Sequence, residues 1–232
     1  MRSDFWKRRF SGLIILQCMR WYLRYPLSYR NLEEIMEERG VEVDHTTIYR
    51  WVQKYAPMFE KRLRWYSKTL GFTWKVDETY IKIKGQWKYL YRAIASTGET
   101  IDFMLSHKRD TKSAIRFFKK ALKQCHDHPC QINSDQNPAY GKAIKIMKVN
   151  GSLSPNVKHT QVKYNNNRIE SDHARLKRRL RTMLGFQSFP TADRTLKGIE
   201  AMLMMVKKQT YFLKKPLNDQ IELINKLFYI YS

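Results

Sequence analysis

The spacing of apolar residues changes along the chain, and each change marks a boundary. An uncharged run from Phe10 to Met19 follows a basic stretch, which gives the start the superficial look of a signal peptide. No small-x-small cleavage site follows, and the run is too short to span a bilayer, so it predicts a helix packed inside the protein. Between Tyr25 and Pro57 the apolar positions recur at helical spacing twice. Ser28 caps a first helix carrying Leu32, Ile35 and Met36, and Gly40 ends it. Asp44 caps a second, with Ile48, Trp51 and Val52 facing inward, and Pro57 is expected to stop it. Two helices joined by a short Gly-containing turn are the helix-turn-helix pattern, in which His45, Thr46, Thr47, Tyr49 and Arg50 would lie on the exposed N-terminal side of the recognition helix. A plain helical hairpin fits the same local pattern.

From Trp74 the period becomes that of strands, which predicts a domain boundary near residues 65 to 72. "FTWKVDETYIKIKG" and "QWKYLYRAIAS" are rich in aromatic and β-branched residues and meet at Lys84-Gly85, a hairpin-type turn. Thr97-Gly98 turns the chain into "ETIDFMLSH", giving three successive antiparallel strands. A helix over Ala114–Gln124, the short strand "CQINSD", a helix from about Pro138 to Met147 and a strand around His159–Val162 follow. The helix of "YNNNRIESDHARLKRRL" comes next, then helices over Thr191–Phe212 and Leu217–Tyr229, whose apolar stripes (Leu196, Ile199, Leu203, Val206) read as core. No internal repeat or membrane-length segment appears, so a cytoplasmic protein is expected.

Composition adds a partner. Among 232 residues, 44 Lys and Arg face 21 Asp and Glu, and 44 − 21 leaves a net charge of +23. Such an excess points to a polyanion, nucleic acid first, because phosphate contacts dominate that binding. A generally basic soluble protein is the alternative, but the charge is spread among 13% aromatic residues and not confined to a tail. The three cysteines are too few and too odd in number for a disulfide framework. "CHDHPC" (125 to 130) gathers zinc-type ligands, yet ligands so tightly spaced, with Pro129 among them and no second pair elsewhere, rarely close a tetrahedron; a polar connection is the plainer reading.

Three carboxylates stand out. Asp77 lies within an otherwise apolar strand, Asp135 follows the fourth strand, and Glu170 opens a helix. A carboxylate amid strand residues needs a partner or a metal. Mg²⁺ binds a few carboxylates while keeping waters, and two such ions can serve in-line displacement at phosphorus. Each carboxylate also has an ordinary reading: Asp77 paired with a strand neighbour such as Lys75, Asp135 capping the helix near Pro138, Glu170 answering Arg168 on a solvated face. Glu78, Asp102 and Asp110 are rival ligands.

"DETYIKIKGQWKYLYRAI", "SDQNPAY", "NNRIESDHARLKRRL" and "FQSFPTADRTLKGIEAM" together resemble the DDE transposases of bacterial insertion sequences, most closely the IS-six family, over about Tyr22 to Phe212. The resemblance implies an α/β fold: a ribonuclease-H-like, retroviral-integrase-type catalytic domain with a mixed sheet flanked by helices, preceded by an all-α helix-turn-helix domain. The expected domains are 1–65 for DNA binding, 70–215 for catalysis and a C-terminal helix over 216–232. The match makes Asp77, Asp135 and Glu170 the three catalytic, metal-binding acids, with 34 residues between the last two, and Lys177 the basic residue of the same helix. It implies Mg²⁺, two ions with Mn²⁺ able to substitute, cutting at terminal inverted repeats and attack of the freed 3′-hydroxyl on target DNA to give a cointegrate. The implied partners are double-stranded DNA, both element ends and target, and further copies of the chain as a homodimer or larger assembly at the bacterial nucleoid; no membrane and no small-molecule substrate enter.

On the helix of Glu170, Ile169, His173, Leu176, Leu180 and Leu184 form an apolar stripe, with Glu170, Ala174 and Lys177 beside it. Lys177 lies about 10 Å further along the axis and is expected on DNA phosphate. Arg175, Arg178, Arg179 and Arg181 are expected to attract the DNA backbone. Glu170 and His173 also make a Glu-x-x-His pair, but the second copy that a di-iron bundle requires is missing. Two other readings stay open: a DNA-binding regulator that is not an enzyme, and a metal-dependent nuclease that only hydrolyses.

Overall fold

A computed structural model describes residues 4–5, 9–67, 71–125, 128–161, 167–183, 185–210 and 217–230, the side chain of residue 167 excepted. His126, Val162, the Asn run before residue 167 and Leu184 therefore lie outside the described residues. Compactness divides the chain into two units, Met1–Lys68 with Leu176–Ser232, and Thr69–Arg175.

The second unit is built on five strands: β1 (Thr73–Ile83), β2 (Gln86–Ala95), β3 (Thr100–Ser106), β4 (Gln131–Ser134) and β5 (Lys158–Gln161), in the order β3-β2-β1-β4-β5. The first three are antiparallel neighbours, while β4 runs parallel to β1 and to β5, so the sheet is mixed as expected. Lys84 and Gly85 both have positive φ, the signature of a two-residue type I′ turn whose twist matches that of the strands. Gly98, at φ 107°, makes the next reversal in a region where L side chains are strained.

α4 (Thr111–Leu122) and α5 (Pro138–Val149) belong to the core that includes Trp74, Val76, Tyr91 and Ala93 from the sheet, supplying Phe117, Phe118, Tyr140 and Met147 to it. Asp110 caps α4 through Ser113 N at 2.8 Å, and Asn137 caps α5 through Ala139 N at 3.0 Å. On α6 (Asn167–Leu180), Asp172 and His173 meet Arg92 and Asp77, the residues of β2 and β1 that face each other in register. The division between the two units falls inside this one continuous helix, at Arg175/Leu176.

The first unit is helical: α1 (Gly12–Arg24), α2 (Tyr29–Glu37), α3 (His45–Arg64), α7 (Phe189–Val206) and α8 (Asn218–Leu227). α1 is the packed helix expected from the Phe10–Met19 run, burying Ile15, Leu16, Met19 and Leu23. No helix among the described residues is long and apolar enough to cross a membrane. Ser28 caps α2 as expected and Gly40, at φ 71°, reverses the chain after it. The expected stop at Pro57 does not occur, since α3 continues through it to Arg64. Proline removes one backbone donor from a helix interior, but Tyr55, Ala56, Phe59 and Leu63 around it are buried, and that burial outweighs local propensity. α7 lies close against α1 and α3: a Cβ built on Gly198 would stand 2.6 Å from Ala56 Cβ and 2.8 Å from Leu23. The residues from Leu176 onward thus group with the N-terminal helices, which differs from the expected 70–215 segment because the apolar face of α7 is buried there.

Candidate active site

The pairing of β1 with β4 ends at Val76 and Ser134. The next residue on each strand is a carboxylate, Asp77 on β1 and Asp135 just beyond β4. Parallel neighbours stand about 4.8 Å apart, so this register alone sets the two acids side by side at the point where the ladder opens. Glu78 follows Asp77 on β1, past the end of the β1–β4 ladder. One carboxylate oxygen from each of Asp77, Glu78 and Asp135 lies within 4.8 Å of the others.

The three differ in surroundings. Asp77 is mostly buried and its carboxyl is pushed up to about 7, first by burial and then by the charges of Glu78 and Asp135. Its Oδ2 stands 3.7 Å from His173 Nδ1. Asp135 accepts Asn137 N on Oδ1 at 3.0 Å and faces Arg109 Nη2 on Oδ2 at 3.4 Å. Since Asn137 is the residue that caps α5, the capping role considered for Asp135 is already taken. Glu78 is buried and accepts the Tyr140 hydroxyl, Arg109 Nε and, at 3.4 Å, Asn137 Nδ2. Burial raises the Tyr140 hydroxyl well above its ordinary value, with the Glu78 charge second, so it remains a donor.

Glu170 is exposed in the first turn of α6 and is not a member of the carboxylate cluster. Arg168, its alternative partner, instead donates to the Ser96 carbonyl. Two neighbours on α6 fix where Glu170 lies. Asp172 accepts from Arg92 Nη2 at 2.6 Å, both side chains being buried, and His173 faces Asp77. Residues three apart share a helix face, so Glu170 stands one turn from the residue that meets Asp77. The rival ligands separate cleanly: Glu78 is in the cluster, Asp102 is bound by Lys120 Nζ at 2.7 Å, and Asp110 is a helix cap.

Crowded carboxylates, one of them holding its proton to about neutral pH, form an oxygen-only donor set that a hard divalent cation would relieve. The described part of "CHDHPC" shows Cys125 half-buried and Cys130 exposed, neither in a disulfide, and neither joins a metal-type cluster among the described residues.

In the helical unit, Thr46, Tyr49 and Arg50 are exposed and His45 and Thr47 half-buried. The Glu33 carboxylate takes both the His45 backbone N, at 3.1 Å, and Nδ1, at 2.9 Å, tying α2 to the start of α3. The hydroxyls of Thr46 and Thr47 turn back to Asp44, whose carboxyl these donors hold well below the usual range. On α6, Lys177, Arg178 and Arg181 are exposed. Arg179, expected among the phosphate-facing arginines, is instead buried: Nε donates to Tyr22 O at 2.6 Å, Nη2 to Leu27 O at 3.3 Å, and its carbon lies 4.4 Å from the Tyr22 ring centre. It closes one carbonyl in the last turn of α1 and one in the connection to α2, and is unavailable to a phosphate.

Sequence reasoning did not find Arg109, Tyr140 or the Arg92–Asp172 pair. Tyr140 lay within the quoted "SDQNPAY", but Arg109 sits in a loop with no pattern, and nothing in sequence relates Arg92 to Asp172, 80 positions apart.

Known proteins are similar to this chain. A family model described as a DDE domain, of the IS240 transposase type, matches residues 71–209. The transposase for insertion sequence-like element IS431mec of Staphylococcus aureus is 44% identical over 205 residues, 87% of this chain and 88% of that protein. The transposase for insertion sequence element IS257 in transposon Tn4003, also of Staphylococcus aureus, has the same identity and coverage. Among solved structures, the HTLV-2 integrase catalytic core domain in complex with magnesium, in its dimeric form, aligns with a TM-score of 0.44 at 17% identity, over 60% of this chain and 88% of that one.

Proposed function

This chain belongs to the DDE transposases of bacterial insertion sequences, the IS-six family, and from that premise we propose that Asp77, Asp135 and Glu170 are its catalytic acids, acting with Mg²⁺ on the terminal inverted repeats of an element. The single observation that carries the reading is the register: β1 and β4 stop pairing at Val76/Ser134, and Asp77 and Asp135 come together where that ladder ends.

Asp77 and Asp135 would hold divalent metal, with Glu170 closing the site from α6. The bound metal would supply activation of an attacking oxygen and stabilisation of a leaving one. The residues of the chain do the rest. Burial around Asp77 keeps water from screening the charges there. His173 orients the Asp77 carboxylate, and Asp172 on Arg92 holds the turn that carries Glu170. The attacking groups would be water for end cleavage and then the freed 3′-hydroxyl for joining to target DNA, giving a cointegrate.

Thr46, Tyr49 and Arg50, which face solvent, would read the element ends from α3 as the recognition helix of a helix-turn-helix, with His45 and Thr47 shaping its start. Lys177, Arg178 and Arg181 would contact phosphates. Holding two ends at once would require at least a homodimer, working at the nucleoid.

The test uses labelled inverted-repeat DNA with Mg²⁺ or Mn²⁺. Asp77→Asn, Asp135→Asn and Glu170→Gln should each lose cleavage and joining while still binding the DNA. Full activity in any one of them would remove that residue from the triad. Cleavage without joining by the parent would favour a hydrolytic nuclease, and binding without any cleavage a regulator.

A further inference from the structure

The three clustered carboxylates are not equivalent. The Glu78 side chain is 1% exposed, and its oxygens already receive Tyr140, Arg109 and Asn137. A carboxylate so buried and so well supplied with donors gains little by exchanging them for a cation. Asp77 and Asp135, at 19% and 33%, keep oxygens within reach of solvent.

Arg109 enters from the loop between β3 and α4, directly before the cap residue Asp110. Its Nε donates to Glu78, its Nη2 reaches Asp135 at 3.4 Å, and its Nη1 bonds to no described residue. The contact to Asp135 is long for a charge-assisted hydrogen bond, which usually measures about 2.7–2.9 Å, so little is lost when it is given up. A guanidinium held at one edge by a buried anion keeps its terminal fork in a fixed plane, and that fork suits phosphate oxygens in pairs. Here it lies beside Asp135 with about a third of its side chain exposed.

Resting on the assignment of Asp77 and Asp135 as metal ligands, we infer that Arg109 is a substrate-binding residue that takes a non-bridging oxygen of the reacting DNA phosphodiester, and that Glu78 is the positioning residue that holds it and not a metal ligand. A cation on Asp135 would release the long Nη2 contact, and the fork, with Nε still on Glu78, would be open to the phosphate. The guanidinium thus serves two states: it reduces repulsion among the carboxylates before metal arrives, and it binds the phosphate afterwards.

The test compares full-length Arg109→Gln, Glu78→Gln and Asp77→Asn by three measurements: Mn²⁺ binding without DNA by electron paramagnetic resonance, the salt dependence of binding to end DNA, and cleavage with Mg²⁺. Arg109→Gln should bind Mn²⁺ as well as the parent or better, cut on the order of 100-fold more slowly, as when one preorganised donor is removed, and lower the salt slope by about one phosphate contact. Glu78→Gln should keep Mn²⁺ binding and cut more slowly. Parental cutting by Arg109→Gln, or its loss of Mn²⁺ binding, overturns the substrate role, and loss of Mn²⁺ binding in Glu78→Gln makes Glu78 a ligand. Asp77→Asn should lose both Mn²⁺ binding and cutting. If it keeps both, the metal-site assignment fails, whatever Arg109 does.

Discussion

Asp77 shows how much a side chain owes to its place. In an unfolded chain an aspartate releases its proton near about pH 3.9, whereas in the folded protein burial, then Glu78 and Asp135, hold the proton to about pH 7. Between those values the folded state binds more protons than the unfolded one, so stability falls as pH rises through the window and the whole penalty is present above pH 7. A divalent cation removes that penalty and competes with the proton, so metal should bind more tightly as pH rises through 7. With metal chelated, Asp77→Asn should be more stable than the parent at pH 8, by up to about 4 kcal/mol, and indistinguishable from it at pH 4. Thermal unfolding followed by circular dichroism checks this; equal melting temperatures at pH 8 would mean that the ionised carboxylate carries no burial cost.

At the level of elements, α6 is held to the sheet of its unit by a buried ion pair. Arg92 is fully buried and Asp172 nearly so, and removing one partner of such a pair leaves an uncompensated charge, at a cost of about 3–5 kcal/mol. Asp172→Ala should lose about that much in urea unfolding and also cut DNA poorly, because the turn that carries Glu170 loses its anchor. A variant as stable as the parent would show that Arg92 is satisfied without Asp172. Most elements were legible in advance because their signals are local: Ser28 and Asp44 each cap a helix, and Lys84-Gly85 turns a hairpin. Pro57 was misleading for the complementary reason, since the burial that carries α3 past it comes from helices elsewhere in the chain.

Across the whole molecule the excess of 23 positive charges sets the expected response to salt. Neutralising phosphates releases counterions, so a protein making six to ten phosphate contacts should lose roughly 10³–10⁵ in affinity for duplex DNA between 50 and 200 mM salt. Mobility-shift titrations over that range measure it, and a flat response would mean that the basic surface is not the DNA-binding surface.

The sequence by itself determined most of the strands and helices, the basic character and the family, whose resemblance implied the mixed sheet, because periodicity, charge and motif spacing are properties of neighbouring residues or of the chain's sum. It also singled out Asp77, a carboxylate within β1, and Asp135, directly after β4. Tertiary structure decided which charges are satisfied and by what. Arg178 and Arg179 look alike in sequence, yet one is exposed and the other closes the carbonyls of Tyr22 and Leu27. Glu78 and Asp102 were rivals of Asp77 and Asp135 until folding gave them an arginine and a tyrosine, and a lysine. The physical reason is common to all of them: the energy of an ionised group depends on its burial and on partners tens of residues away, and neither is encoded in its local sequence.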